Sequence, residues 1–336
     1  MAVLLYSDER FEHHDTGAHH PERSARLPAV RIGLVRHGLM DGITRVDPRS
    51  ATDDELHLVH PARYVDSIDR FGAAGGGHLD PDTVMSAESA AIARLAAGAG
   101  LDAIERLDRG QADAAFMAVR PPGHHATATR AMGFCLFNHA AVAAATLAAR
   151  GERVLVVDVD AHHGNGTQDI FYDRGDVAYV SWHQHPLYPG SGAAEQWGSG
   201  EGEGTTLNLP MPPDATGEHY RRSIEEIVAP FAEVFEPTWL IISAGFDAHR
   251  ADPLTDLALT SGDFSDITTD LLQLVEPGHR LAFLEGGYDL EAVADSAAAT
   301  VGALMGERVH PEPPTSGGPG AVVVDRVAEI RRRFDR

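Results

Sequence analysis

The chain has 336 residues and is 43% hydrophobic, enough to bury a large core. Its formal net charge is -23, and all 27 basic residues are Arg because there is no Lys. That balance argues against nucleic-acid binding through a basic face. It would steer cationic substrates toward the protein, although a solubilising acidic surface accounts for it more simply. No stretch approaches the roughly 18 to 20 apolar residues of a membrane span, and Leu4-Tyr6 is too short for a signal-peptide core. A soluble cytoplasmic protein with no membrane partner is the expectation. Cys135 is the single cysteine, which excludes an intrachain disulfide framework and a cysteine zinc cluster. Any metal must be held by His and carboxylate.

Length alone would allow two domains, but the alternation of helix and strand signals decides for one. The Gly-rich stretch Gly72-Gly77 reads as a mobile surface loop. Residues 86 to 109 read as a helix capped by Ser86 and stopped by Gly110. Ala114-Val119 reads as a buried strand leading into Arg120, Pro121, Pro122, Gly123, His124 and His125. An Ala-rich helix over Asn138-Arg150 follows, then a strand at Arg153-Val157 leading into Asp158, Asp160, His162 and His163. Asp176-Val180 leads into Ser181, His183 and His185, and Gly190-Gly204 reads as a second mobile loop, both Gly-rich stretches being able to border a pocket mouth. A helix around Gly217-Phe235 precedes a strand at Thr238-Ile242, which leads into Ser243 and Asp247. A helix around Ser261-Val275 precedes a strand at Leu281-Leu284, which leads into Glu285, Gly286, Gly287 and Tyr288. A helix around Leu290-Met305 closes the alternation. Pro311-Gly320 reads as a tether to a last helix, Val322-Phe334.

In an open parallel sheet the carboxyl ends of the strands lie along one edge, so the five polar clusters converge there. Asp160 and His162 flank one residue, and in an extended segment such residues point the same way. With Asp247 they form a two-carboxylate, one-imidazole set that leaves coordination positions open, as a catalytic zinc site requires. The plainer alternative is that these side chains cap the next helix. His124 and His125 follow a rigid Arg-Pro-Pro-Gly turn, and paired imidazoles beside a metal suit proton shuttling. Asp158 and Asn165 are natural partners for the two rings, and Asn leaves its His less biased toward the charged form than a carboxylate would. Tyr288 could donate a hydrogen bond to an oxyanion, or simply be a core Tyr with a satisfied hydroxyl.

The motifs HPERSAR at 20–26, RPPGHHA at 120–126, GFCLFN at 133–138, DVDAHHGNGTQDIF at 158–171, SAGFDAHRADPL at 243–254 and LEGGYDL at 284–290 resemble those of the histone deacetylase superfamily. The likeness is strongest to its class II and bacterial amidohydrolase-like members. It spans about residues 10–305, leaving 306–336 as tether and helix of one domain covering 1–336. The resemblance implies an α/β, single-domain, three-layer arginase/deacetylase-type fold with a mostly parallel central sheet. It implies one Zn2+ per chain on Asp160, His162 and Asp247, His125 as general base and acid, His124 as its electrostatic partner, and Tyr288 as carbonyl-polarising donor. Gly133, Phe134 and Tyr188 would line the acyl-lysine tunnel, although the family more often has Phe at the position of Tyr188. Arg26 aligns with an arginine tied to acetate release. A structural K+ is implied at Ser181, Asp158 and the carbonyls of Asp160, His162 and Trp182, and a second at the carbonyls of Phe171 and Val177. Leu254 stands where polyamine-selective class IIb relatives carry an acidic gatekeeper.

The expected activity is zinc-dependent hydrolysis of an N-acetyl amide, with acetyl-lysine in proteins or peptides as first substrate and acetylpolyamines or other small acetylamines as the alternative. A binuclear manganese ureohydrolase is disfavoured because Asn165 and Gly245 offer no carboxylate for a second ion. A non-catalytic acetyl-lysine binding module is disfavoured by the retention of His124, His125 and Tyr288. Physiological substrate, acyl length and oligomeric state stay open at this level.

Overall fold

A computed structural model describes residues 1–334. The strands are β1 (Val3–Tyr6), β2 (Ile43–Val46), β3 (Gly76–His78), β4 (Val84–Ser86), β5 (Ala114–Met117), β6 (Val154–Asp158), β7 (Val177–Gln184), β8 (Thr206–Met211), β9 (Trp239–Ala244) and β10 (Arg280–Leu284). Eight of them form one sheet in the order β2-β1-β5-β10-β9-β6-β7-β8. Every adjacent pair in it is parallel. β3 and β4 form a separate antiparallel hairpin.

The five strands read from continuous apolar runs occupy adjacent places, β5-β10-β9-β6-β7. They are fully buried, as strands covered on both faces must be. Three further strands of the sheet escape sequence reading. β1 is only four residues long, β2 is a half-exposed edge, and β8 interleaves Thr, Asn and Pro with its apolar residues. Helices Arg26–Arg36, Leu290–Leu304 and Ser261–Leu271 pack on one another in series, while Ser89–Asp108 packs on His139–Ala148. One continuous apolar cluster joins these helices to the sheet. No helix among the described residues is long and apolar enough to cross a membrane.

Several boundaries differ from the sequence expectation. Ser86 does not cap a helix: it closes β4, and the helix begins at Ser89, whose hydroxyl accepts the Ser86 N–H at 2.8 Å. β7 runs on to Gln184, so Ser181 and His183 lie within the strand rather than after it. The Gly217–Phe235 helix contains a π-helical turn at Ile224–Val228. Gly72 lies in the last turn of helix Ala62–Ala73 and Gly76 opens β3, so the first Gly-rich stretch is not a free loop. The last helix is Ala321–Arg331.

Candidate active site

The turn after β5 is pinned to the turn after β10, because the N–H groups of Gly123 and His124 both donate to Glu285 Oε2, at 2.6 and 3.1 Å. This holds His124 and His125 side by side, their ring centroids 4.0 Å apart. His124 Nδ1 donates to Asp158 Oδ2 at 2.9 Å, and that oxygen also accepts the Tyr179 hydroxyl at 3.0 Å. His125 Nδ1 donates to the side-chain carbonyl of Asn165 at 2.9 Å. A ring that donates from Nδ1 keeps Nε2 as its open nitrogen when neutral.

The two rings titrate apart. Burial opposes charge on His124, but Asp158 and Asp160 outweigh it and hold the ring well above its ordinary value. Burial pushes His125 well below its ordinary value, and the neighbouring His124 and His162 add to the shift. Adjacent imidazoles driven apart in this way favour one charged and one neutral ring at neutral pH.

Asp160, His162 and Asp247 converge as expected, but not through an extended segment. β6 ends at Asp158, and the chain then bends: Asp158 Oδ1 accepts the Asp160 N–H at 3.2 Å and Asp160 Oδ1 accepts the His162 N–H at 2.8 Å. Side-chain-to-backbone turns of this kind, rather than strand alternation, aim the group. His162 Nδ1 lies 2.9 Å from Asp247 Oδ2 and 3.2 Å from Asp160 Oδ1. One ligand atom from each of the three residues falls within 4.8 Å of the others, and no other such group of His, Cys, Asp and Glu occurs among the described residues. Gly245 and Gly286 make room: a Cβ on the first would fall 2.0 Å from Asp160 Oδ2, and on the second 2.3 Å from Asp247 Oδ2. Burial, with the charge of Asp160, pushes Asp247 up to about 7. Two buried carboxylates at this spacing call for a cation between them, so the donor set fits a divalent metal.

Above this group lies a cavity of about 300 Å³. His125, His162 and Tyr288 share it with Gly133, Phe134, Tyr188 and Leu254, together with Pro21 of the first motif and with Asp82 and Leu187, which lie outside the motifs. Gly133 and Phe134 both adopt positive φ, 56° and 69°, and a Cβ on Gly133 would fall 2.3 Å from the His125 ring. A non-glycine residue held there is the kind of local strain found at ligand clamps. Burial, with the charge of Asp247, holds the Tyr288 phenol well above its ordinary value, so it keeps its proton at neutral pH and can donate a hydrogen bond. Its backbone N–H donates to Asp252 Oδ2 at 2.7 Å, while Asp252 Oδ1 accepts the Leu254 N–H at 2.9 Å.

Arg26 is fully buried. It donates to the carbonyls of Gly287, at 2.6 Å, and Glu285, and its guanidinium lies 5.3 Å from the centre of the Tyr288 ring. Glu22 accepts from Arg26 at 3.2 Å and from Arg120 Nη2 at 2.7 Å, so one carboxylate links the turns after β10 and β5. Asp158 and Ser181 are register partners on β6 and β7. Trp182 is buried beside them and donates to Ser223 at 2.7 Å. Phe171 ends helix Asn165–Phe171, with its carbonyl accepting from Arg174 at 3.0 Å, and Val177 opens β7.

Glu22, Asp252 and Glu285 lie inside the quoted motifs. Apart from Arg26, which lies four residues after Glu22 in the same motif, their partners are the distant Arg120, the Ser243 hydroxyl and backbone N–H groups, which spacing does not reveal.

A parallel α/β sheet whose strand ends gather such a site is the arginase/deacetylase-type architecture, and comparison bears this out. The crystal structure of the HDA15 HD domain superposes with a TM-score of 0.92 at 39% identity, over 99% of this chain and 95% of that one. The histone deacetylase domain model matches residues 20–304, and the chain belongs to the histone deacetylase family. Histone deacetylase 15 of Arabidopsis thaliana is 40% identical over 317 residues, 93% of this chain and 57% of that protein. This chain thus spans little more than half of that relative. A histone deacetylase-like amidohydrolase of Pseudomonas aeruginosa is 38% identical over 297 residues, 87% of this chain and 77% of that protein. Family membership supports a deacetylase or amidohydrolase activity.

Proposed function

We propose that this protein is a zinc-dependent deacetylase that cleaves the amide of acetyl-lysine in peptides or proteins. The observation that carries this reading is the buried Asp160, His162, Asp247 group beneath a cavity that also holds a neutral His125 and the Tyr288 phenol. Bound zinc would supply Lewis-acid polarisation of the amide carbonyl and a water of lowered pKa. His125 takes the proton of the attacking water on Nε2, while Asn165 keeps Nδ1 protonated. His124, charged against Asp158, disfavours a positive charge on His125 and so keeps that ring neutral and open to the proton. Tyr288 donates to the oxygen that gains charge as the carbonyl carbon becomes tetrahedral. His125 then returns the proton to the leaving nitrogen. A C–O bond has formed and the C–N bond has broken, giving acetate and a free amine. Phe134 and Tyr188 bracket the alkyl stem. Asp158 with Ser181, and the Phe171 and Val177 carbonyls, are assigned to structural K+.

A small acetylated polyamine is the second reading, and Asp82 at the cavity favours it because a carboxylate there suits a substrate with a further cationic amine. The test is steady-state kinetics of the zinc-loaded protein on acetyl-lysine peptides, N-acetylputrescine and N-acetylspermidine. Higher kcat/KM on the peptides is expected. Preference for the polyamines would replace the first reading, and no turnover of either class would leave an acetyl-lysine binding module. Tyr288→Phe is expected to lower kcat by about 10²- to 10³-fold with little change in KM.

A further inference from the structure

Two buried histidines that the proposed chemistry does not use, His163 and His183, lie with ring centroids 4.7 Å apart beneath the segment following Tyr188. Their hydrogen bonds fix both tautomers. His183 Nε2 faces the Gly192 carbonyl at 3.0 Å, which can only accept, so Nε2 carries the proton and Nδ1 accepts the Ser181 hydroxyl at 2.9 Å. His163 Nε2 donates to Gln168 Oε1 at 3.1 Å, leaving Nδ1 to accept the Ser191 hydroxyl at 2.8 Å. The same Gln168 oxygen accepts from Asn208 at 2.6 Å. Gln196 closes the set by accepting the N–H groups of Gly192 and Ala193 at 3.0 and 3.1 Å.

Space is as restricted as polarity. A Cβ on Gly192, whose φ is +86°, would fall 2.5 Å from His183 Nε2 and 2.7 Å from His163 Cδ2. The segment is held at its other end too, where the N–H of Gln184 donates to Ala161 at 2.8 Å and that of His185 to Met211 at 2.7 Å. Between these fixed ends stand Leu187 and Tyr188, which line the cavity while Tyr188 is 38% exposed. The Tyr188 ring lies edge-on to His125, with centroids 5.2 Å apart. An exposed ring on a short bridge takes its position from the bridge's anchors.

We infer that His163 and His183, through Ser191 and Gly192, are positioning residues that clamp the Tyr188 wall of the substrate tunnel and thereby set affinity for the acyl-lysine stem. This rests on the tunnel reading given above. The clamp acts on binding rather than on the reacting groups, because Ser191 and Gly192 are bonded to these rings and not to His125, Tyr288 or the Asp160 group.

The experiment uses Ser191→Ala, which removes one donor, and Gly192→Ala, which drives a methyl into both rings, with Ser191→Thr retaining the hydroxyl. Amide hydrogen exchange over residues 187–193 and steady-state kinetics are measured on the zinc-loaded full chain. In Ser191→Ala, exchange over this segment is expected to rise about fivefold and KM for an acetyl-lysine peptide about fivefold, the loss of one ordinary hydrogen bond. kcat should stay within about twofold, and Ser191→Thr should restore KM. Gly192→Ala should exceed Ser191→Ala in both readouts. Unchanged exchange in both alanine variants, or a fall in kcat at constant KM, would overturn the inference. A wild-type protein inactive on every acetylated amine would remove the hydrolase reading alone, and exchange would still decide the clamp.

Discussion

His125 and Asn165 illustrate how one amide sets the character of a base. The Asn165 carbonyl accepts from Nδ1 without adding charge, so burial and the adjoining cations keep the ring neutral. Asn165→Asp would favour the protonated ring and raise its pKa, so the acid limb of the kcat/KM profile should move to higher pH and activity near pH 6 should fall. A pH–rate profile unchanged by the substitution would contradict this assignment. Asp252 is a residue whose part was invisible in sequence, since both its oxygens receive backbone N–H groups. Asp252→Asn must turn an NH2 toward one of those donors, and a loss of about 1 to 3 kcal/mol of stability is expected in urea titration, with kcat lowered through Tyr288. The metal-ligand candidates, in contrast, were legible because their residue types state their chemistry. What spacing misjudged was the backbone route, a bend rather than a strand.

At the scale of elements, continuous apolar runs identified the five central strands, because burial on both faces leaves no polar alternation to confuse them. The edge strands β2 and β8 were not legible for the opposite reason. Helix ends followed caps where a cap existed: Asn138 Oδ1 accepts the Ala141 N–H at 2.9 Å and starts helix His139–Ala148. Its Nδ2 also donates to Thr167 at 3.0 Å and to the Ala126 carbonyl at 3.2 Å, tying the helix to the turn that bears His125. Asn138→Ala should therefore cost more than a surface cap, about 2 to 3 kcal/mol, read as a lowered urea midpoint. A change below about 0.5 kcal/mol would refute that double role.

For the molecule as a whole, buried titratable groups set the response to acid. Burial lowers His60 and His139 to about 4 from an ordinary 6.5. Glu22 lies at about 2 instead of 4.5, since its arginine neighbours overcome the opposing effect of burial. In each case the unfolded chain binds protons that the folded chain refuses, so the stability these three groups contribute is complete above about 6.5 and declines as pH falls, first through the histidines and then through Glu22, while Asp247 and Glu285, both pushed up to about 7 by burial, act in the opposite sense. Urea midpoints should fall steadily between pH 6.5 and 3; a constant midpoint over that range would exclude these groups as the cause.

Glu22 reaches both halves of the chemistry at once. One arginine that it holds belongs to the turn before the histidine pair, and the other braces the turn that ends in the phenol. It is a keystone: withdraw it and two guanidinium groups are left facing each other without water, a loss of about 3 to 5 kcal/mol for a broken buried pair. Proton transfer and oxyanion stabilisation would then fail together, so the two loops form one mechanical unit that tolerates redesign at its rim but not at this joint.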